Sequence, residues 1–176
     1  MKYYLLKTCG LKRKLPVVAL GPKLRIASFN LLGDSELVQV VAKEMVKKLK
    51  KIDFDCLVGP EVKVVPLVQE LSRLLGHKRY IILRKSIKGY MVKPVSTDAK
   101  PNLVLNGPDF QFLKNQKAVV IDDVVSTGRT IETVIALLHQ AKAKTVAIFT
   151  ALKQGEASFS FGAPFFYLGR LPFFRR

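Results

Sequence analysis

The chain has 176 residues, 49% of them hydrophobic, and 30 Lys and Arg stand against 13 Asp and Glu for a net charge of +17. That length suits one domain around one core, and the composition excludes a disordered or low-complexity chain. The charge points to an anionic ligand or partner, with phosphates, nucleic acid and acidic membrane all open, while two cysteines, Cys9 and Cys56, support neither a disulfide framework nor a zinc set.

Residues 1–25 carry seven basic side chains and no acid, and residues 71–97 again carry seven and none. The apolar run from Leu15 to Gly21 is short, is interrupted by Pro16 and is followed by Pro22, which makes a poor signal peptide. No stretch reaches the ~20 apolar residues of a bilayer span. A cytosolic protein with no membrane partner is expected.

Asp34 and Ser35 are plausible N-caps for a helix over residues 34–52, in which Leu37, Val41, Met45, Leu49 and Ile52 recur at helical spacing and Lys43, Lys47, Lys48 and Lys51 fall elsewhere. The run from Cys56 to Val58 predicts a strand, Gly59-Pro60 a turn, and Val64, Leu67, Leu71 and Leu75 a second helix closed by Gly76. Tyr80 to Leu83 predicts another strand. The basic, Pro-containing segment from Arg84 to Pro101 has no periodicity and reads as a mobile lid. Strands are expected at 102–106, 118–121 and 145–150, with a helix over 130–140. Alternation of apolar strands with helices predicts an α/β fold: a doubly wound, mostly parallel sheet covered on both faces. Ligands bind such sheets beyond the C-terminal strand ends. The expectation is a single domain, with a core at about 26–150 and a small hood from about 1–25 and 155–176.

The most informative stretch is Val119-Val120-Ile121-Asp122-Asp123-Val124-Val125-Ser126-Thr127-Gly128-Arg129-Thr130. An apolar strand delivers two carboxylates to its end, and a small-residue loop leads into a helix. Backbone N–H groups, two hydroxyls and the positive end of the helix dipole can converge there on a phosphate, and Gly128 lets the backbone approach closely. Carboxylates beside a phosphate need hydroxyl donors or a cation between them and it. A sugar phosphate with vicinal hydroxyls, accompanied by magnesium, meets both needs. Neither a Gly-x-x-x-x-Gly-Lys-Ser/Thr loop nor a Gly-x-Gly-x-x-Gly fingerprint is present.

Val119 to Thr130 resembles the phosphoribosyl pyrophosphate motif of the type I phosphoribosyltransferases. The resemblance extends over roughly residues 26–150 and is greatest to the adenine phosphoribosyltransferases. Leu31 to Leu37 is similar to the segment opening that group's first long helix, and Gly59-Pro60-Glu61-Val62-Lys63 stands where the group has its Gly-x-Glu-Ala-Arg pyrophosphate loop. Arg84-Lys85 is similar to an Arg-Lys pair after the next strand, and Val104 to Asp109 to the strand leaving the lid. The resemblance implies that Asp122 and Asp123 take the ribose hydroxyls of 5-phosphoribosyl 1-pyrophosphate (PRPP). It puts Val124, Ser126, Thr127, Gly128, Arg129 and Thr130 on the 5′-phosphate, and Glu61, Val62, Lys63, Arg84 and Lys85 around the pyrophosphate, with Glu61 orienting the loop. Mg2+ is the implied cofactor, met by Asp122 and Asp123 directly or through ribose hydroxyls or water. The implied reaction is displacement of pyrophosphate by a ring nitrogen of a nucleobase, foremost a purine of the adenine type, in a homodimeric enzyme. Asp123 is the candidate catalytic base, with Asp98 on the lid as the alternative.

Two features depart from the adenine group. The lid offers Ser96, Thr97 and Asp98 in place of a Glu-Tyr pair, and Arg25 stands where the hood's stacking aromatic is counted. His77 and His139 adjoin helix ends and read as structural. The competing functions are a PRPP-sensing regulator on the same fold that grips nucleic acid with its basic face, and a pyrimidine-base transferase. The absence of an RNA-binding aromatic signature or helix-turn-helix extension weighs against the regulator.

Overall fold

The computed structural model describes residues 2–175. Tyr3–Thr8 (β1) and Leu11–Ala19 (β2) form an antiparallel hairpin. Its two-residue turn, Cys9-Gly10, has φ of 49° and 79°, the left-handed pair whose twist matches the flanking strands. Leu24–Ala27 (β3) pairs with β2, and these strands build one edge of the hood.

Ser35–Leu49 (α1) follows, capped by Asp34, whose carboxylate accepts from Leu37 N at 3.0 Å. The expected Ile52 lies beyond the helix and packs beside the core. Cys56–Pro60 (β4) is buried at every position. Gly59 and Pro60 therefore end a strand and do not form the expected turn, because β4 stays paired with Ile81–Leu83 (β5) as far as Pro60↔Leu83. Between them, Val65–Leu75 (α2) ends at Gly76 with φ 75°, where glycine takes the left-handed cap without a Cβ penalty.

The lid is partly ordered by pairing: Val95–Ser96 (β6) and Val104–Leu105 (β7) form a separate two-stranded antiparallel sheet, also bridged from Arg84 to Val104. The strand expected at 102–106 thus lies outside the main sheet. A short helix that the sequence reading missed, Gly107–Phe112 (α3), comes next. Lys117–Val125 (β8), Arg129–Gln140 (α4) and Lys144–Gln154 (β9) form the centre of the fold. Both strands run four residues past their expected ends.

The main sheet has the order β10-β9-β8-β4-β5 and is parallel throughout, with Phe165–Leu171 as β10. Here the tail departs from the expected hood: β10 is an edge strand of the main sheet, and Phe173–Arg175 (β11) alone returns to pair with β3. The hood is thus a four-stranded antiparallel sheet, β1-β2-β3-β11.

Strand alternation divides the core in two. Leu57, Val119, Ile121 and Phe149 pack with Leu37, Met45 and Leu67 of α1 and α2, together with Leu6 and Leu15 of the hood. Cys56, Val58, Val120 and Ile148 pack with Ile131, Val134 and Leu138 of α4. Both faces are covered, which is why the strands read as continuous apolar runs. Met45 and Leu67 have no exposed surface, and truncating either to alanine costs about 2–5 kcal/mol.

Candidate functional site

The site forms where β8 meets α4. Asp122 and Asp123, expected at the strand's end, lie inside it, because β9 continues the pairing through Val124↔Leu152 and Val125↔Lys153. Cross-strand pairing overrides the low strand preference of aspartate. Asp122 is 7% exposed, and its Oδ1 accepts from Asp123 N at 2.8 Å; Asp123 Oδ1 in turn accepts from Val124 N at 2.8 Å. Burial pushes the Asp122 carboxyl well above the ordinary carboxylate range, and the charge of Asp123 pushes it further. A cation or a set of hydroxyl donors at this pair would favour its ionised form.

Ser126 and Thr127 are exposed and Gly128 is buried at φ 81°, the N-cap of α4. The first-turn amides of α4 have no intrahelical acceptors, so the loop presents donors at the sheet edge. A Cβ on Gly128 would lie 3.1–3.2 Å from ring atoms of Phe159 and Phe161, so the left-handed geometry favours glycine and a side chain would also press on the rings. Arg129 is exposed, and its carbonyl accepts from Thr133 Oγ1 at 3.0 Å.

Two clefts open on this edge. The sheet-edge cleft, about 330 Å³, is bounded by Glu61, Lys63, Lys85, Asp122, Asp123 and Thr130, with Val62 and Val124 beside them. The hood cleft, about 230 Å³, is bounded by Phe29, Lys63, Asp123, Ser126, Gln154 and Phe173. Lys63, Asp123 and Val124 line both, so the clefts meet at the strand end.

The β4–α2 loop carries Glu61, Val62 and Lys63, and its Glu61–Val62 peptide is cis. Glu61 Oε1 accepts from Lys85 N at 2.6 Å, while Oε2 lies 2.5 Å from Arg84 Nε as a charge contact off the hydrogen-bond line. Glu61 thereby clamps the chain leaving β5. Lys85 reaches the cleft wall, whereas Arg84 is brought to Glu61 and not to the cleft. Lys63 Nζ donates to Phe29 O at 3.4 Å, joining this loop to the hood cleft.

Asp98 is exposed and lines neither cleft; of the segment from Arg84 to Pro101, Lys85 and Pro101 reach the sheet-edge cleft wall, with Leu103 just beyond. His77 packs against Phe54 with ring centroids 4.9 Å apart and the rings tilted by 32°, and His139 lies in the last turn of α4. Among the described residues no three His, Cys, Asp or Glu side chains converge, and no helix is long and apolar enough to cross a membrane.

The sequence reading missed Gln154, Phe29 and Phe173 on the hood cleft. Arg25, counted at the hood's aromatic position, lies in β3 opposite Ala19 and Phe174. β9 extends past Thr150 and delivers Gln154 to the edge because it stays paired on both sides, Lys153 with Val125 and Gln154 with Leu171, which no local pattern signals. Phe173 comes from the terminal strand and carries no local signal.

Residues 30–159 match the family described as Phosphoribosyl transferase domain. The chain is 36% identical over 129 residues to a hypoxanthine/guanine phosphoribosyltransferase of Methanocaldococcus sp., covering 71% of this chain and 63% of that protein. It is 22% identical over 127 residues to an orotate phosphoribosyltransferase of Caldanaerobacter subterraneus, covering 72% and 59%. The chain thus spans about three fifths of the length of these relatives. In fold it is similar to the adenine phosphoribosyltransferase structure from Thermoanaerobacter pseudethanolicus, with TM-score 0.72 and 18% identity, over 89% of this chain and 95% of the other.

Proposed function

The chain belongs to the phosphoribosyl transferase domain family, and from that premise we propose that it transfers ribose 5-phosphate from PRPP to a nucleobase, releasing pyrophosphate. The observation that carries this reading is the meeting of the two clefts at Asp123, Val124 and Lys63. A sugar-diphosphate in the sheet-edge cleft would present its anomeric carbon to a base in the hood cleft.

In this arrangement the Ser126–Thr130 loop and the α4 N-terminus bind the 5′-phosphate. Asp122 and Asp123 accept from the ribose hydroxyls. Lys63 and Lys85 hold the pyrophosphate, with Glu61 and Arg84 fixing the chain that carries Lys85. The bond from C1′ to the pyrophosphate oxygen breaks and a bond from the ring nitrogen to C1′ forms, the electron pair leaving with pyrophosphate. Asp123, on both cleft walls, receives the proton displaced from the base, a role for which the exposed Asp98 is less well placed. Positioning and electrostatic stabilisation supply most of the rate.

Magnesium fits this donor set. It takes hard oxygen ligands and is held through one or two carboxylates together with substrate phosphate oxygens, and Asp122 and Asp123 are the cleft-wall carboxylates left for it, Glu61 being engaged by Lys85 N and Arg84. When bound, it neutralises charge on the leaving pyrophosphate. The acceptor is a purine, with adenine first in line from the sequence resemblance and the fold; the hypoxanthine/guanine relative makes 6-oxopurines the next to try. A homodimer working in the cytoplasm is part of the same proposal.

Pyrophosphate release from PRPP and Mg2+, measured with adenine, hypoxanthine, guanine, orotate and uracil in turn, tests this. Release that depends on a purine is expected. Release driven by orotate or uracil alone would make the chain a pyrimidine-base transferase. Binding of PRPP without release under any base, with nucleic acid held selectively at moderate salt, would make it a regulator instead.

A further inference from the structure

Lys153 stands out among the cations. It is only 6% exposed although it lies near the end of β9. Among the described residues no carboxylate lies within ion-pair distance of its Nζ and no acceptor takes its hydrogens. The Nζ instead faces two aromatic rings, 5.9 Å from the centroid of Phe159 and 5.6 Å from that of Tyr167, near the outer limit of about 6 Å for a cation–π contact. The side chain is largely covered, and a cation held among rings with no anion beside it is poorly compensated unless something supplies one. Nearby Arg170 adds positive charge, and its own guanidinium is already committed to Glu156 at 2.6 Å and the Tyr167 hydroxyl at 2.7 Å.

The side of the sheet on which Lys153 lies follows from register. Lys153 is the parallel partner of Val125, which packs in the core under α4, whereas the next residue, Gln154, lines the hood cleft. Alternation thus sends Gln154 toward the hood and Lys153 toward the start of α4. The ring of Phe159 that faces Lys153 also packs against Gly128, the N-cap of that helix. A largely covered lysine with no carboxylate partner among the described residues therefore stands behind the loop whose amides and hydroxyls are assigned above to a phosphate.

Resting on the phosphoribosyltransferase reading, we propose that Lys153 is a phosphate-binding residue, the counter-charge to the phosphomonoester held by Ser126–Gly128 and the α4 N-terminus. The site would then meet a single phosphate from two directions, dipoles and hydroxyls from the loop and a full charge from β9. The pyrophosphate end has its own lysines, Lys63 and Lys85, on the sheet-edge cleft. The two anionic ends of the substrate are thus served by separate cations.

The test is calorimetric titration of ribose 5-phosphate, and separately of pyrophosphate and purine base, into the wild type, Lys153→Met and Lys153→Arg, with Lys153→Gln as a second neutral variant should Met not fold. The neutral variant is expected to lose about tenfold or more in affinity for ribose 5-phosphate, the worth of one charge-assisted hydrogen bond. Its pyrophosphate affinity should stay within about twofold, and Arg should restore most of the loss. Its ligand-free melting temperature should equal or exceed that of the wild type, since a cation without an anionic partner has been removed from among apolar rings. Unchanged ribose 5-phosphate affinity, an equal loss for pyrophosphate, or a loss confined to the base would each overturn the proposal while leaving the transferase reading in place. A wild type that binds neither ribose 5-phosphate nor pyrophosphate would sink that reading and the proposal with it.

Discussion

Arg13 and Asp34 tie the hood to the core by a two-point contact, Nε to Oδ2 at 2.6 Å and Nη2 to Oδ1 at 3.0 Å. Arg13 belongs to β2, and Asp34 is the cap of α1, so one carboxylate both starts the first helix and anchors the sheet above the hood cleft. The Arg13 guanidinium, joined by the Leu37 amide, holds the Asp34 carboxyl below its ordinary range.

A lowered carboxyl gives stability that is present above its unfolded value of about 3.9 and is lost as pH falls through the folded one. Arg13→Gln should therefore melt below the wild type at neutral pH, with the gap closing as pH falls below about 4. Asp34→Ala should cost about 1 kcal/mol more for the lost cap. Melting curves from pH 7 to 3 check this; a gap that stays constant to the acid end would contradict it.

Asp122 titrates with the opposite sign. Burial, and then Asp123, raise its carboxyl in the folded state, so folding binds the proton more tightly and the wild type loses stability as pH rises above the unfolded value of about 3.9. Asp122→Asn removes that penalty. Its melting temperature should exceed the wild type's at neutral pH by about 2–4 °C for each kcal/mol relieved, and the difference should vanish near pH 4. A variant less stable at every pH would show that the carboxylate is already compensated in the free protein.

Much of this was legible in the sequence because its signals are local. The spacing of Leu37, Val41, Met45 and Leu49 carries α1, Gly76 marks the end of α2, and the string from Val119 to Thr130 carries strand, loop and helix together. The lengths of β8 and β9 were not legible, because each continues on the strength of its partner and not of its own residues. The two-residue β6 is too short to show a period, and nothing local signals that β7, inside the strand expected at 102–106, pairs with it and not with the main sheet. Phe29, Phe173 and Lys153 reach the site through the return of the chain, β11 onto β3 and β9 alongside β8.

Gly128→Ala tests the phosphate loop through its backbone. The residue sits at φ 81° with the rings of Phe159 and Phe161 against the position a Cβ would take. Left-handed geometry alone costs an L-residue about 1–2 kcal/mol, so a melting temperature lower by about 2–8 °C is expected, with ribose 5-phosphate binding weakened more than pyrophosphate binding. Equal weakening of both would place Gly128 in the general fold and not in the phosphate loop.

The lid should order unevenly. Val92 N donates to Asn106 Oδ1 at 2.8 Å, and Val95 and Ser96 pair with Leu105 and Val104, which pins its first half. Asp98, Ala99 and Lys100 are exposed, while Pro101 lies on the cleft wall. Hydrogen exchange should therefore show protection gained on binding Mg2+ and PRPP at 97–103, with little change at 92–96. Exchange at 97–103 that ignores the ligand would remove the lid role.

The most direct measurement is base-dependent pyrophosphate release by the wild type and by the double variant Asp122→Asn, Asp123→Asn, both verified as folded by circular dichroism. The wild type should release pyrophosphate from Mg2+ and PRPP only when a purine is supplied, and the double variant should be slower by at least about a hundredfold, as for loss of preorganised groups around a developing charge. A folded double variant that turns over at the wild-type rate, or release that proceeds equally without a base, would contradict phosphoribosyl transfer at this site.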